Sequence, residues 1–596
     1  MSRAHFAKSW GAEPVGEGRW RFRLWAPSLG GAAVRIEGET HGLDRAADGW
    51  FETELPAWGA QAYAFVVDGR AVPDPAARMQ EGDVHGPSLL LDPASFAWEC
   101  DWRGRPWHET VLYELHVGTF SETGDFQGVR QKLDHLAETG VTAIELCPVA
   151  QFSGRRGWGY DGVLLYAPHR AYSGADALKW LVDAAHARGL MVFLDVVYNH
   201  FGPDGNYLHA YAPEFFDPER RTPWGDAIDY RQPAVRSFFI ENALYWLEEY
   251  RIDGLRLDAI DTIADPTLVA DLARAVRAHG FTRPVHLTTE DDRNITHLHA
   301  RNEAGRAVLC DGEWNDDFHH VAHVLATGED DGYYADYTGD PRGDMVVALR
   351  DGFVQQGRPS AHRGGAARGE PSAHLPPVAF VNFLQNHDQT GNRAFGERLT
   401  TLAAPEAVEV LTAILLLSPM IPLVFMGEEW GETRPFQFFC DFQGELAEAV
   451  RQGRRREFAR WRAFADAGLR ESIPDPNSPT TFERSKLDWA GLEGPAGKAR
   501  RALVRELLRL RRTQIVPRLP GMAAMNAEAR PRGERGLEAR WTLGDGSRLG
   551  LVANLGGAPL DVTPPGREIF RREIFRRGDP ARDAWAVCVT LEEDAP

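Results

Sequence analysis

From about residue 108, short apolar runs alternate with amphipathic helical stretches, and eight such runs can be counted. They are VLYELHVGTF (111–120), VTAIELCPV (141–149), MVFLDVVYNH (191–200), IDGLRLDAI (252–260), VHLTTED (285–291), RAVLCDGEW (306–314), PVAFVNFLQNHD (377–388) and IPLVFMGEEWG (421–431). Between them lie segments of helical period such as FQGVRQKLDHLAETG, VRSFFIENALYWLEEY and LVADLARAVRAHG. Strands that lose strict two-residue alternation are covered on both faces, and their repetition with helices predicts a closed parallel barrel. The expected fold class is α/β, a (β/α)8 TIM barrel. Before it, RWRFRLWAP and AYAFVVDG, with the turn clusters SLGG and AADG, predict an N-terminal β-sandwich. After the helix ARRALVRELLRLRRT, the runs GLEARWTLGDGSRLGLVANLGG and AWAVCVTLEE predict a C-terminal β-domain. The expected boundaries are 1–105, 106–515 and 516–596. RGGAARGEPSAH (363–374) reads as a mobile loop by composition. REIFRREIFRR (567–577) holds REIFR twice, a local duplication with no functional reading.

A chain of 596 residues exceeds what one hydrophobic core serves, so several domains are expected. A formal net charge of −20 argues against nucleic acid, whose phosphates need basic patches. The opening MSRAHFAKSW lacks the apolar region of a signal peptide. The most apolar stretch, LTAILLLSPMIPLVFM, is broken by two prolines and is no membrane span. The five cysteines, Cys100, Cys147, Cys310, Cys440 and Cys588, are scattered, with no CxxC pair and no Cys/His cluster in sequence. Neither a zinc site nor a disulfide framework is expected, and reduced thiols fit a cytoplasmic setting. No HExxH spacing occurs, so no metal and no cofactor are expected.

Five runs end in polar residues: YNH, RLDAI, TTED, QNHD and GEEW. One such ending is a solvated strand terminus. Five at the same end point to the C-terminal mouth of the barrel, where active sites of this fold lie. The long segments 150–175 and 201–232 supply loops for a cleft. Arg256 and Asp258 are two apart in a strand and share a face. A guanidinium favours the ionised form of a neighbouring carboxyl, which a glycosidase nucleophile requires, although a structural ion pair has the same pattern. The next strand ends in TTEDD. Retaining glycosidases hold two carboxyls about 5–5.5 Å apart, and adjacent strands lie about 4.8 Å apart. Spacing does not choose among Glu290, Asp291 and Asp292. In QNHD, Asn386 and Asp388 share a face and His387 sits at the rim. Asp195 can brace Arg256, and His200 can donate to a sugar hydroxyl. Trp158 and Trp314 stand in loop motifs, where a flat ring could cover the apolar face of a pyranose. Glu428 and Glu429 read as rim or structural groups.

DVVYNH (195–200), GLRLDAI (254–260), Glu290 closing the fifth strand and NHD (386–388) resemble the four conserved segments of glycoside hydrolase family 13, the α-amylase superfamily. The resemblance implies Asp258 as nucleophile and Glu290 as acid/base, and the choice of Glu290 rests on it. It implies Asp388 as the acid that grips sugar hydroxyls and stabilises an oxocarbenium-like transition state. Asp195, His200, Arg256 and His387 are implied contacts of the −1 sugar, with Tyr160 stacked on that sugar and Asp161 beside it. GRRGWGYDGV (154–163), EWNDDFHH (313–320), FLQNHDQTGNRAFGERL (383–399) and GELAEAVRQGRRREF (444–458) look like a trehalose-releasing branch of the family, over nearly the whole chain. That branch cuts the α-1,4 bond next to the terminal trehalose of a malto-oligosyltrehalose. Asn315 and Asp316, with Trp158, Tyr160 and Trp314, are the groups expected at the trehalose end. Cys147 and Ser153 depart from the pattern. The alternatives are a glycogen branching enzyme with the same carboxylates, a general α-glucan hydrolase, and a catalytically dead glucan-binding scaffold.

Overall fold

The computed structural model describes residues 6–222, 225–459, 466–558, 560, 564–575 and 584–593. Eight parallel strands close into a barrel in chain order: β1 (Leu112–Leu115), β2 (Ala143–Leu146), β3 (Met191–Val196), β4 (Gly254–Leu257), β5 (His286–Thr289), β6 (Gly312–Trp314), β7 (Phe380–Phe383) and β8 (Ile421–Phe425). Each lies inside a run expected from the sequence. The exception is in extent: β6 holds only three residues, and the RAVL part of its run is a loop whose Val308 is exposed.

The lower barrel is filled by Leu112, Ala143, Met191, Phe193, Trp314, Val381, Phe383, Ile421 and Leu423, with Trp107 as the plug. Gly254 opens β4 because a Cβ there would lie 2.2 Å from the Phe193 ring. Helices Gly174–His186, Pro233–Glu249, Thr267–Ala278, Pro405–Leu417 and Pro495–Leu510 flank the barrel. Three begin with proline, whose missing N–H costs nothing in the first turn. Helix Pro405–Leu417 is buried along most of its length because it lies against the C-terminal sheet. Among the described residues, no helix is long and apolar enough to cross a membrane. The first five residues of MSRAHFAKSW lie outside the described residues.

The N-terminal region forms two antiparallel sheets, one including Gly11–Gly16, Arg19–Trp25 and Trp50–Pro56, the other including Ala32–Ile36 and Ala62–Val67. Trp10 is fully buried, donates to the Ala234 carbonyl at 2.9 Å and meets Phe238 edge-on at 5.1 Å. The C-terminal region is a five-stranded antiparallel sheet. The REIFR repeat falls on its edge strand Arg567–Phe575, with a bulge between Glu568 and Phe570. Its last two residues, Arg576 and Arg577, lie outside the described residues.

The expected mobile loop 363–374 is instead tied down. Arg368 is buried and donates to Asp317 at 3.1 Å and to the Tyr337 hydroxyl at 2.9 Å, while Arg363 pairs with Asp292. Composition hid these long-range ion pairs.

Candidate active site at the barrel mouth

Strands β3, β4 and β5 end side by side, and Arg256 of β4 links their carboxyls. Its Nη1 donates to Asp195 Oδ2 at 2.7 Å and to Asp258 Oδ1 at 2.6 Å, and its Nη2 lies 2.6 Å from Glu290 Oε2. Fully buried, this guanidinium is raised well above its ordinary pKa: burial opposes its charge, but Asp195 and Glu290 outweigh it. One planar fork holding three carboxyls keeps them close together. Asn199 adds a donor to Asp258 Oδ2 at 3.2 Å.

Chain geometry aims Glu290. Ala259 follows Asp258 in the left-handed region at φ 40°, turning its N–H onto Glu290 Oε2 at 2.9 Å. A non-glycine residue there is strained, a condition that clusters at functional sites. Burial raises the Glu290 carboxyl above the ordinary glutamate range, and the charge of Asp258 adds to this against the pull of Arg256. Its neighbours point elsewhere. Asp291 is buried in a bidentate pair with Arg293, and Asp292 pairs with Arg363.

His387 and Asp388 follow β7. Burial opposes charge on the His387 imidazole, but Asp388 and Glu114 carry its pKa up to about 9. Its Nε2 lies 3.5 Å from Asp388 Oδ1, and its backbone N–H donates to Glu114 at 3.0 Å. The Asp388 side chain is 34% exposed, accepts from Asn392 at 3.2 Å, and is raised by burial against the charge of His387. Tyr160 stacks on His387 at 4.9 Å and donates its hydroxyl to Asp195 at 2.6 Å. Asp161 beside it is half-buried, with its carboxyl pushed up to about 6 by burial. His200 is buried next to Asn199. The structure thus gathers Asp195, Arg256, Asp258, Glu290, His387, Asp388 and Tyr160 around one opening.

Other expected contacts lie deeper than the rim. Trp314 is 2% exposed, with its ring 4.3 Å from the Arg256 guanidinium, so it supports that group from inside the barrel. Asn315 is buried, and its amide donates to the Gly352 carbonyl and to Asn382. Trp158 is buried, stacked on Phe436 at 5.4 Å with its N–H on the Gln437 carbonyl, and its ring meets His387 edge-on at 5.6 Å. Each is filled by partners distant in sequence. Asp316 does reach the rim, half-buried and accepting from Gln389 at 3.2 Å, and burial pushes its carboxyl up to about 7. Glu429 is buried against Tyr113 and His135, a structural group.

Sequence reading missed Glu114, Asn199 and Gln389. The available signal for Glu114 was a carboxyl inside the apolar run VLYEL. Asn199 and Gln389 stood beside residues already singled out.

A family model described as the alpha-amylase catalytic domain matches residues 109–226, and a domain of unknown function (DUF3459) matches 525–589. The malto-oligosyltrehalose trehalohydrolase of Deinococcus radiodurans is 43% identical over 512 residues, 85% of this chain and 83% of that protein. That of a Rhizobium species is 39% identical over 586 residues, 94% of each chain. A crystal structure of a candidate alpha-amylase from Salmonella typhimurium matches with a TM-score of 0.93 at 48% identity, covering 99% of this chain and 100% of that one. By contrast, a branching enzyme of Aliivibrio fischeri, 32% identical, aligns with only 40% of this chain and 38% of its own. The chain therefore belongs to the malto-oligosyltrehalose trehalohydrolases, within the α-amylase family of glycoside hydrolases.

Proposed function

We propose that this chain hydrolyses the α-1,4 bond next to the terminal trehalose of a malto-oligosyltrehalose, with retention at the anomeric carbon. The observation that carries this reading is the single guanidinium of Arg256 holding both Asp258 and Glu290. A shared guanidinium keeps the two carboxyls near one another, as a retaining enzyme needs for its nucleophile and its acid/base. Asp258 attacks the anomeric carbon while Glu290 gives its proton to the departing O4 of trehalose, and the C1–O4 bond breaks. Glu290, now a carboxylate, then takes a proton from water, whose oxygen attacks C1 and releases Asp258. The raised Glu290 suits the first step because its proton is retained to higher pH. Asp388 and His387 grip the −1 sugar, Tyr160 stacks on it, and Asp195 and His200 complete its contacts.

Specificity for trehalose must come from the +1 and +2 sites, since the broken bond is the same in maltodextrin. With Trp314, Asn315 and Trp158 buried, the polar rim pair Asp316 and Gln389 takes that role. A site built on such hydrogen bonds can discriminate by about 10⁴–10⁵-fold, whereas apolar fit gives roughly 10–200-fold. Comparing kcat/KM for a maltosyl-extended trehalose and a maltodextrin of equal length tests the reading. Strong preference for the former is expected, and equal values would leave a general α-glucan hydrolase. Retention is checked by proton NMR: the α anomer of the shortened glucan should appear first. The five cysteines are free thiols, which suits a reducing compartment such as the cytoplasm.

A further inference from the structure

Beneath the cleft floor, three ligand-type side chains from separate strands converge. Glu114 of β1, Cys147 just beyond β2 and His387 beyond β7 each offer one ligand atom, all within 4.8 Å of one another, and all three residues are buried. Sequence spacing gave no such cluster, because the barrel brings together positions far apart in the chain. Glu145 adds a second, independent observation. It is in register with Glu114 on the neighbouring strand and two residues before Cys147, hence on the same face. Both of its carboxyl oxygens are buried without a hydrogen-bond partner. An orphaned acid in a native interior needs a reason.

We propose that Glu114, Cys147 and His387 form a binding site for a thiophilic divalent cation of the zinc type, whose occupancy switches hydrolysis off by engaging His387. The inhibition, though not the binding, rests on the reading of His387 as a contact of the −1 sugar. One carboxylate, one thiolate and one imidazole are a donor set for zinc, whereas calcium and magnesium take oxygen ligands. Zinc ligands sit about 2.0–2.3 Å from the ion, so Glu114 and the His387 Nδ1 it now pairs with must part to admit the ion while Cys147 completes the set. Binding forms three metal–ligand bonds and expels two protons, one from the Cys147 thiol and one from the His387 imidazole. Two positive charges enter and two leave, so the net charge of the buried cluster is unchanged.

Cobalt(II) is the probe, titrated into the full-length protein. One equivalent is expected to give a thiolate-to-cobalt charge-transfer band in the near ultraviolet, with zinc competing for it. Activity should fall in parallel with occupancy and return on adding EDTA. Cys147→Ala, and Cys147→Met should alanine destabilise the fold, should keep basal activity, lose the band and need at least tenfold more zinc for the same inhibition. Absence of the band would overturn the site; cobalt bound without it would belong elsewhere, as on the acidic cluster Asp261, Asp291 and Asp292. Equal zinc inhibition of the variants would also overturn it. The band with full activity would keep the site and overturn the off-switch.

Discussion

The ends of β4 and β6 look alike in sequence, GLRLD against GEWND, each placing acids beside a large side chain at the barrel mouth, yet they do different work. At β4 the acid Asp258 lies beyond the strand's last residue, and it shares a single guanidinium with Glu290 from the end of β5, which the N–H of left-handed Ala259 holds. At β6, Glu313 and Trp314 are still inside the strand. Glu313 accepts from Thr289 at 2.5 Å and pairs with His299 at 2.8 Å, sealed from the cleft. Burial raises both glutamates, but only Glu290 combines a raised carboxyl with an open approach. Position at a strand end is therefore not enough. A group must leave the strand far enough to reach the opening while a buried partner holds it there.

The largest test of this contrast is Asp258→Asn. Turnover should vanish while the folded spectrum and glucan binding persist, and near-normal turnover would erase the distinction. Glu290→Gln should lower the rate by roughly 10²–10⁴-fold, the usual share of a positioned general acid, whereas Asp291→Asn should change it little. Reversal of that order in steady-state kinetics would mean Asp291 faces the substrate. On the β6 side, Trp314→Ala should cost about 3–5 kcal/mol of stability, as large-to-small changes in a core do. Denaturant midpoints would show it, and a raised KM at unchanged stability would instead make Trp314 a sugar contact. The smallest effect concerns pH. Because Glu290 must donate a proton, kcat/KM should fall as pH rises through its pKa, on a limb above the ordinary glutamate value. Glu313→Gln should leave that limb in place, and its displacement would tie the two glutamates into one titrating unit.

Periodicity made the barrel legible because buried strands repeat between helices in a way few other folds allow. The charged strand endings made the mouth legible for the same reason. Register at the turns was another matter: TTEDD offers three acids, and what separates them is the φ of Ala259 together with Arg293 and Arg363 taking the other two. Trp158 and Trp314 were ambiguous because their burial depends on Phe436 and Arg256, which no local pattern connects to them. The short β6 was overextended because an apolar run such as RAVL does not reveal that Val308 faces solvent. Glu114 and Glu145 went unremarked since an acid within an apolar strand acquires meaning only once neighbouring strands are in place.

The seam around Trp10 bears on how the molecule comes apart. Lys8 pairs with Glu249 at the end of helix Pro233–Glu249, and Ser9 donates its backbone N–H to Glu241 on the same helix. Four residues after that helix the chain enters β4, the strand of Arg256. The segment leading into the amino-terminal sheet therefore clamps the helix that delivers the central guanidinium. Stripped of that sheet, the barrel would show water an aromatic socket, one acid without its counter-charge and one without its hydrogen-bond donor. It is better regarded as half of one folding unit than as an appendage, and heat should take the sheet and the catalysis in a single step.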